Sequence, residues 1–335
     1  MAYYIVSDEE FVRVKQLFKD APNVENAEGP KEGDKIFKEF PVGNNLGQIN
    51  RPYERYNDYE ELMIALQRLD PEKYSIFHKG TPFYFLAWLA FDMRNYNKGL
   101  FYIDAAIAED INQRPVEGYT GEAIQFYLLE RENEFTKRTV DRIRDTIEAH
   151  LSRWSDITKV NISRQIFIDN FVKKILLDNN KYKRSIISAF YVFLLEFDDL
   201  RRLLETRPKH EVSTLPFITH LFTGGVIFES LLKNAYPQII KGTLNSVFKN
   251  ADFRTDFGVK SINQESGSLA SIISSIHSSK ISNKELSFSV TTKLRNTTGH
   301  NIVWDDIFDN VKNYKDLFEL QVDAILHVIA KKYLS

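Results

Sequence analysis

The sequence predicts an all-α protein, and three observations carry the prediction. Apolar residues recur at helical spacing along most of the chain. Glycine (14) and proline (10) are sparse for 335 residues, which favours long helices over many short strands and turns. Hydrophobic residues make up 43% and aromatic residues 13% of the chain, ample material for buried cores. The expected organisation is a helical, repeat-like region over 1–160 followed by a helical bundle over 161–335, with its core at about 210–335.

The elements follow in order. Residues 8–19 read as a first helix, and the polar, Gly/Pro/Asn-rich stretch from Ala21 to Tyr56 as an irregular segment. A helix over Tyr59–Leu69 ends at Asp70-Pro71. Phe83–Met93 and Lys98–Ala108 form two helices around an Asn95-Tyr96-Asn97 turn, with small residues at Ala87, Ala90, Gly99 and Ala105 for close packing. The pair is similar to a tetratricopeptide unit. No three copies recur at a constant period, so an ordinary helical hairpin is the preferred description over a repeat. Helices near 119–131 and 136–153 follow.

Helical spacing resumes at 162–178, 182–205 and 214–235, and loosens over 237–267. Residues 268–278, 284–297 and 305–334 close the series. Leu286–Thr291 alternates with period two, yet no partner strand matches it, so it is assigned to helix. The last helix carries Val311, Tyr314, Phe318, Val322, Ile325, Ile329 and Tyr333 at steps of three and four, the stripe of a bundle helix.

Cysteine is absent, which removes disulfides, zinc knuckles and thiol nucleophiles. The N-terminus lacks a basic and apolar leader pattern, and no eighteen-residue uninterrupted apolar run occurs, so a cytoplasmic protein without membrane attachment is expected. Charge is uneven. Residues 161–335 carry 23 Lys and Arg against 18 Asp and Glu, whereas residues 1–160 carry 21 against 28. A polyanion would therefore meet the C-terminal half, unless the imbalance is mere fluctuation.

The chemically pointed stretch is Arg295-Asn296-Thr297-Thr298-Gly299-His300. A second string, Arg144–His150, has the same ends, but six residues of unbroken helix turn through about 600° and part its side chains. Arg295 instead falls at a helix end, with Gly299 expected in left-handed conformation to stop the helix. His300 could then swing back toward Arg295.

This arginine–histidine motif before a long final helix resembles the HEPN superfamily (higher eukaryotes and prokaryotes nucleotide-binding domains). Leu221–Lys233 adds to the resemblance, with its Gly224-Gly225 step and Glu229. The resemblance covers about 210–335, and it implies a helical-bundle, metal-independent endoribonuclease, often a toxin or a prokaryotic defence effector. Arg295 and His300 would be catalytic, supported on the phosphate by Asn296, Thr297 and Thr298, with no metal or cofactor.

The residue types suit the chemistry. Imidazole exchanges protons near neutral pH, and guanidinium grips two phosphate oxygens. Cyclising attack by a 2′-hydroxyl needs a base and an acid on opposite sides of phosphorus. One His300 is thus too few, and a C₂ homodimer through the C-terminal domain would supply the second. Trp304, Ile307 and Phe308 are the expected contacts. RNA is the expected partner, and the N-terminal region could hold a protein partner. A non-catalytic helical adaptor or nucleotide-binding module is the alternative.

Other residues read as structural. His327 sits among Leu326, Val328 and Ile329, as a bundle histidine would. Asp305, Asp306 and Asp309 have the spacing of metal ligands, but acidic residues are usual in a helix's first turn. Lys173, Lys174, Lys181, Lys183 and Arg184 form a basic strip that RNA or water could cover.

Overall fold

The computed structural model describes residues 7–23, 35–37, 51–113, 120–130, 136–206, 213–239, 241–259, 262–263, 268–278, 280–300 and 310–334. Among the described residues 83% are helical and none is in a strand. The chain divides into two compact units, Met1–Arg142 and Ile143–Ser335. This division lies earlier than the expected 160/161, inside a single long helix.

In unit 1, helix α1 (Asp8–Asp20) begins at a capping box: Glu10 N–H donates to Ser7 Oγ (3.3 Å) and Ser7 N–H to Glu10 Oε2 (3.1 Å), so each residue satisfies an orphan donor. Helix α2 (Pro52–Leu69) starts well before the expected Tyr59, because Pro52 at the first helical position needs no hydrogen-bond partner for its nitrogen. A short α3 (Pro71–Ile76) follows. The hairpin is α4 (Gly80–Asp92) and α5 (Tyr96–Gln113).

The hairpin turn, residues 93–95, lies two residues earlier than expected. Arg94 takes positive φ (57°), and Asn95 Oδ1 caps α5 by accepting from Lys98 N–H (3.2 Å). Ala87, Ala90 and Ala106 are buried, rather than Ala105. Gly99 is obligatory, since a Cβ there would run into the Phe91 ring. Helix α6 (Glu122–Tyr127) completes unit 1 with the first turns of α7 (Lys137–Thr158).

In unit 2, α7 presents Ile143, Ile147, Leu151 and Trp154, all at most 3% exposed, on one stripe. Then come α8 (Arg164–Phe167), a π-helical turn at Ile168–Val172 and α9 (Lys173–Leu176). Four long helices build the bundle: α10 (Arg184–Thr206), α11 (Leu215–Ala235), α15 (Asn283–Thr298) and α16 (Val311–Lys332). Short helices α12 (Leu244–Lys249) and α13 (Ala251–Phe257), and then α14 (Leu269–Ser278), fill the span between α11 and α15.

Helix α16 lies at the centre. Tyr314, Phe318, Val322, Ile325 and Ile329 are buried as expected, and so are Gln321 and Asp323 on its other side. Helix α11 has the length and apolarity of a membrane span, with mean hydropathy 1.4 over eighteen residues. In the bundle 61% of that window is buried, against α10, α15 and α16.

The Gly224-Gly225 step explains how α11 can pack on several neighbours at once. A Cβ at Gly224 would lie 2.6 Å from Phe193 and 2.7 Å from Gln321 Oε1, on α10 and α16. A Cβ at Gly225 would lie 2.6 Å from Arg295 Cβ, on α15. Successive glycines therefore serve different neighbours of the same helix.

Candidate functional site

Arg295 stands on α15 directly against Gly225 of α11. The contact of Gly225 with Arg295 and that of Phe222 with Gly299 set the two helices antiparallel. One turn on from Gly225, on the same face, Glu229 accepts from Arg295 Nε–H at 2.8 Å. A turn further, Lys233 Nζ lies 2.7 Å from the other carboxylate oxygen of Glu229. Glu229 is 9% exposed and thus bridges two cations. The trio carries a formal net charge of +1, and charge-assisted bonds of this kind fix the guanidinium plane.

The Arg295 side chain is 35% exposed, so part of its fork faces solvent. Asn296 Oδ1 lies 3.4 Å from Arg295 Nη1. Thr297 and Thr298 are buried, and Thr298 Oγ–H donates to the Leu294 carbonyl (2.6 Å). Of the three expected supporting residues, the structure brings Asn296 to the guanidinium and turns the Thr298 hydroxyl back into its own helix.

Gly299 does not adopt the expected left-handed conformation. Its φ is −74° and ψ −13°, and the helix ends by tightening, with Gly299 N–H bonded to Arg295 O (3.2 Å) and His300 N–H to Thr297 O (3.3 Å). Glycine is needed there for space: a Cβ would sit 2.9 Å from Arg295 O and 3.1 Å from the Phe222 ring. His300 follows immediately and is exposed, and its ring makes no hydrogen bond among the described residues. Trp304, Asp305, Asp306, Ile307, Phe308 and Asp309 lie outside the described residues.

The second arginine–histidine string is differently placed. Arg144 and His150 lie within unbroken α7. Arg144 is 5% exposed, and the His150 ring meets Phe318 edge-on at 5.4 Å. Burial, followed by the charges of Arg153 and Lys315, pushes His150 down to about 4.

Two further histidines are structural. His220 Nε2–H donates to Phe193 O (2.8 Å), while Nδ1 accepts from Tyr314 Oη–H (2.7 Å); burial holds it near 4. His327 Nε2–H donates to Asn283 Oδ1 (3.0 Å), as a satisfied bundle histidine should. The basic strip is largely engaged. Lys173 pairs with Asp169, Lys183 with Asp178 and Lys174 with Tyr333 O, and Arg184 is buried.

The sequence singles out Glu229 and the Lys233 end of the same helix, but not the bonds that join them to each other and to Arg295. The available signal was the i, i+4 series Gly225, Glu229, Lys233 on one face of α11. The chain matches no protein-family model, no curated protein and no solved structure.

Proposed function

We propose that the Ile143–Ser335 unit is a metal-independent endoribonuclease of the HEPN kind, acting in the cytoplasm as a homodimer. One observation carries the reading: the Arg295 guanidinium is held rigid by Glu229 and open on its outer side, and an exposed His300 follows at the same helix end. In this reading Arg295 binds a non-bridging phosphate oxygen pair and stabilises charge building on phosphorus. One His300 takes the 2′-hydroxyl proton. The oxygen attacks phosphorus, the bond to the 5′-oxygen breaks, and the partner's His300 protonates that leaving oxygen. The products are a 2′,3′-cyclic phosphate and a 5′-hydroxyl. Unit 1 serves as the regulatory or partner-binding part, with Phe101 on α5 65% exposed as a contact.

The test is incubation of the full chain with structured RNA in chelator. Cyclic-phosphate and 5′-hydroxyl ends are expected, and intact RNA would sink the proposal. Replacing Trp304 by Glu should give a monomer and abolish cleavage together. A wild type that sediments as a fully active monomer at micromolar concentration would remove the composite site. The Glu229–Arg295 pair also favours a second reading, in which Arg295 only clamps α15 to α11 in a non-catalytic adaptor. A folded protein that binds RNA or nucleotide without cutting would establish that reading.

A further inference from the structure

Residues 173–184, which run from α9 into the start of α10, carry five Lys and Arg against one Asp. Between the two helices the chain makes a tight helical turn at Lys181–Lys183, and Asp178-Asn179-Asn180 builds it. Asp178 Oδ1 accepts from Asn180 N–H (2.8 Å), and Asn180 Oδ1 accepts from Tyr182 N–H (3.2 Å). The other Asp178 oxygen holds Lys183 Nζ (2.6 Å), while Lys183 N–H donates to Asn180 O (3.0 Å). Short Asp and Asn side chains thus tie the turn to itself.

What the turn presents is an open ring. Tyr182 is 88% exposed, more than any other large hydrophobic among the described residues, and Leu177 at the start of the turn is 60% exposed. The Tyr182 ring makes no aromatic contact and its hydroxyl no hydrogen bond among the described residues. A side chain this open contributes little to folding, yet the backbone beneath it is fixed. Lys173 and Lys183 are neutralised by Asp169 and Asp178. Two other cations are not. Lys181 forms no ion pair among the described residues, and Lys174 donates to the Tyr333 carbonyl (2.9 Å), which accepts a hydrogen bond without cancelling the charge.

Tyr333 places this segment relative to Arg295. Its carbonyl accepts from Lys174, its ring meets Phe171 edge-on (5.3 Å), and its hydroxyl donates to the Leu231 carbonyl on α11 (3.2 Å). Leu231 lies about 9 Å along the helix from Gly225, against which Arg295 sits, and one residue short of neighbouring Lys233.

An open aromatic ring beside unneutralised cations suits a single strand of nucleic acid. The ring stacks on a base whatever its identity, and the cations take phosphates. A duplex offers the phosphates but keeps its base faces stacked inside. We propose that the turn from Leu177 to Lys183 is a second RNA contact, with Tyr182 stacked on an unpaired base and Lys174 and Lys181 on phosphates. It holds a strand whose other portion reaches Arg295. The contact rests on the ribonuclease reading for the choice of RNA as ligand, and it stands apart from the reacting groups.

Fluorescence anisotropy of the full chain tests it, with a labelled 2′-O-methyl oligouridylate of about 12 nucleotides that has no free 2′-hydroxyl and cannot cut itself. Tyr182→Ala should weaken binding about tenfold, the scale of one lost base stack, whereas Tyr182→Phe keeps the ring and should stay within about twofold. Lys181→Ala should lower the slope of log affinity against log salt by about 0.7, one phosphate contact. A duplex of the same length should be indifferent to Tyr182→Ala. Equal binding by Tyr182→Ala and wild type would overturn the proposal, as would equal losses for strand and duplex, or no binding by the wild type at about 100 µM. So would oligoglutamate displacing the strand as readily as unlabelled RNA does, since that marks a site for an acidic protein. A wild type that binds the uncut strand through Tyr182 but leaves ordinary RNA intact keeps this contact and removes the ribonuclease reading. Cleavage of RNA by a wild type whose binding ignores Tyr182 does the reverse.

Discussion

Two segments of this chain present an arginine and a histidine a few residues apart, and their surroundings are opposite. In α7, Arg144 is buried and His150 rests on Phe318 within a continuous helix. At the end of α15, Arg295 is anchored through one nitrogen with the rest of its fork near solvent, and His300 is exposed. The same residue types therefore meet different demands. A buried pair is held by packing, and its removal should register as lost stability. An exposed pair at a helix end contributes little to folding, and its removal should register in chemistry.

The largest expected effect is on cleavage. His300→Ala and Arg295→Ala should each lower the cleavage rate by about 100-fold or more, the scale of a lost proton-transfer or charge-stabilising group. His150→Ala should stay within about threefold of wild type for its folded fraction, since no such group is lost. Single-turnover cleavage with circular dichroism on the same samples decides the matter. A normally folded His150→Ala that has lost activity would reverse the assignment of the two strings.

A smaller effect separates the two arginines by stability. Arg144→Ala should lose about 1–3 kcal/mol in urea unfolding, because it removes a buried side chain and strands its partners. Arg295→Ala should lose less, the Glu229 pair being partly exposed. Gly225→Val should cost about 1–3 kcal/mol by overpacking the α11–α15 crossing and should shift Arg295, so activity falls with it. Gly225→Val with wild-type stability and cleavage would mean that this crossing does not set the site.

The smallest effect is a pH trend. Burial holds His150 and His220 near 4 and His327 near 3, whereas a histidine in the unfolded chain titrates near 6.5. Below pH 6.5 the unfolded chain therefore takes up protons that the folded unit resists, and stability falls with pH until about 4. For the fully buried His220 the loss at pH 5 is about 2 kcal/mol. His220→Asn should flatten part of this slope. An unchanged midpoint in urea from pH 7 to pH 5 would contradict the neutral, buried assignment.

Much of this was legible in the residues. The final helix and the α4–α5 hairpin follow from apolar spacing, and the all-α class with them, whereas Leu286–Thr291 alternates like a strand and reads as helix only because no partner strand matches it. Helix ends were harder. Arg94, Leu129 and Lys159 adopt positive φ without being glycine, while Gly299, which looks like a stop signal, does not adopt it. Pro52 reads as a breaker and is a helix start. The partner of Arg295 was out of reach because it lies 66 residues away in sequence. Packing at Gly225 brings the two together, and composition carries no trace of that contact.

Helix α11 has a consequence for the birth of the protein. Taken alone, its eighteen-residue window has the hydropathy of a membrane span. What covers it is α10, made just before, and α15 and α16, made afterwards. At about 5–20 residues per second, several seconds pass between completion of Ala235 and completion of Lys332. For that interval the ribosome carries a greasy segment whose shelter is only partly synthesised. A nascent chain arrested before α15 should therefore be captured by chaperones or by membrane-insertion machinery, and release should come with the last helix. The C-terminal helices thus complete the cover of α11 only late in synthesis.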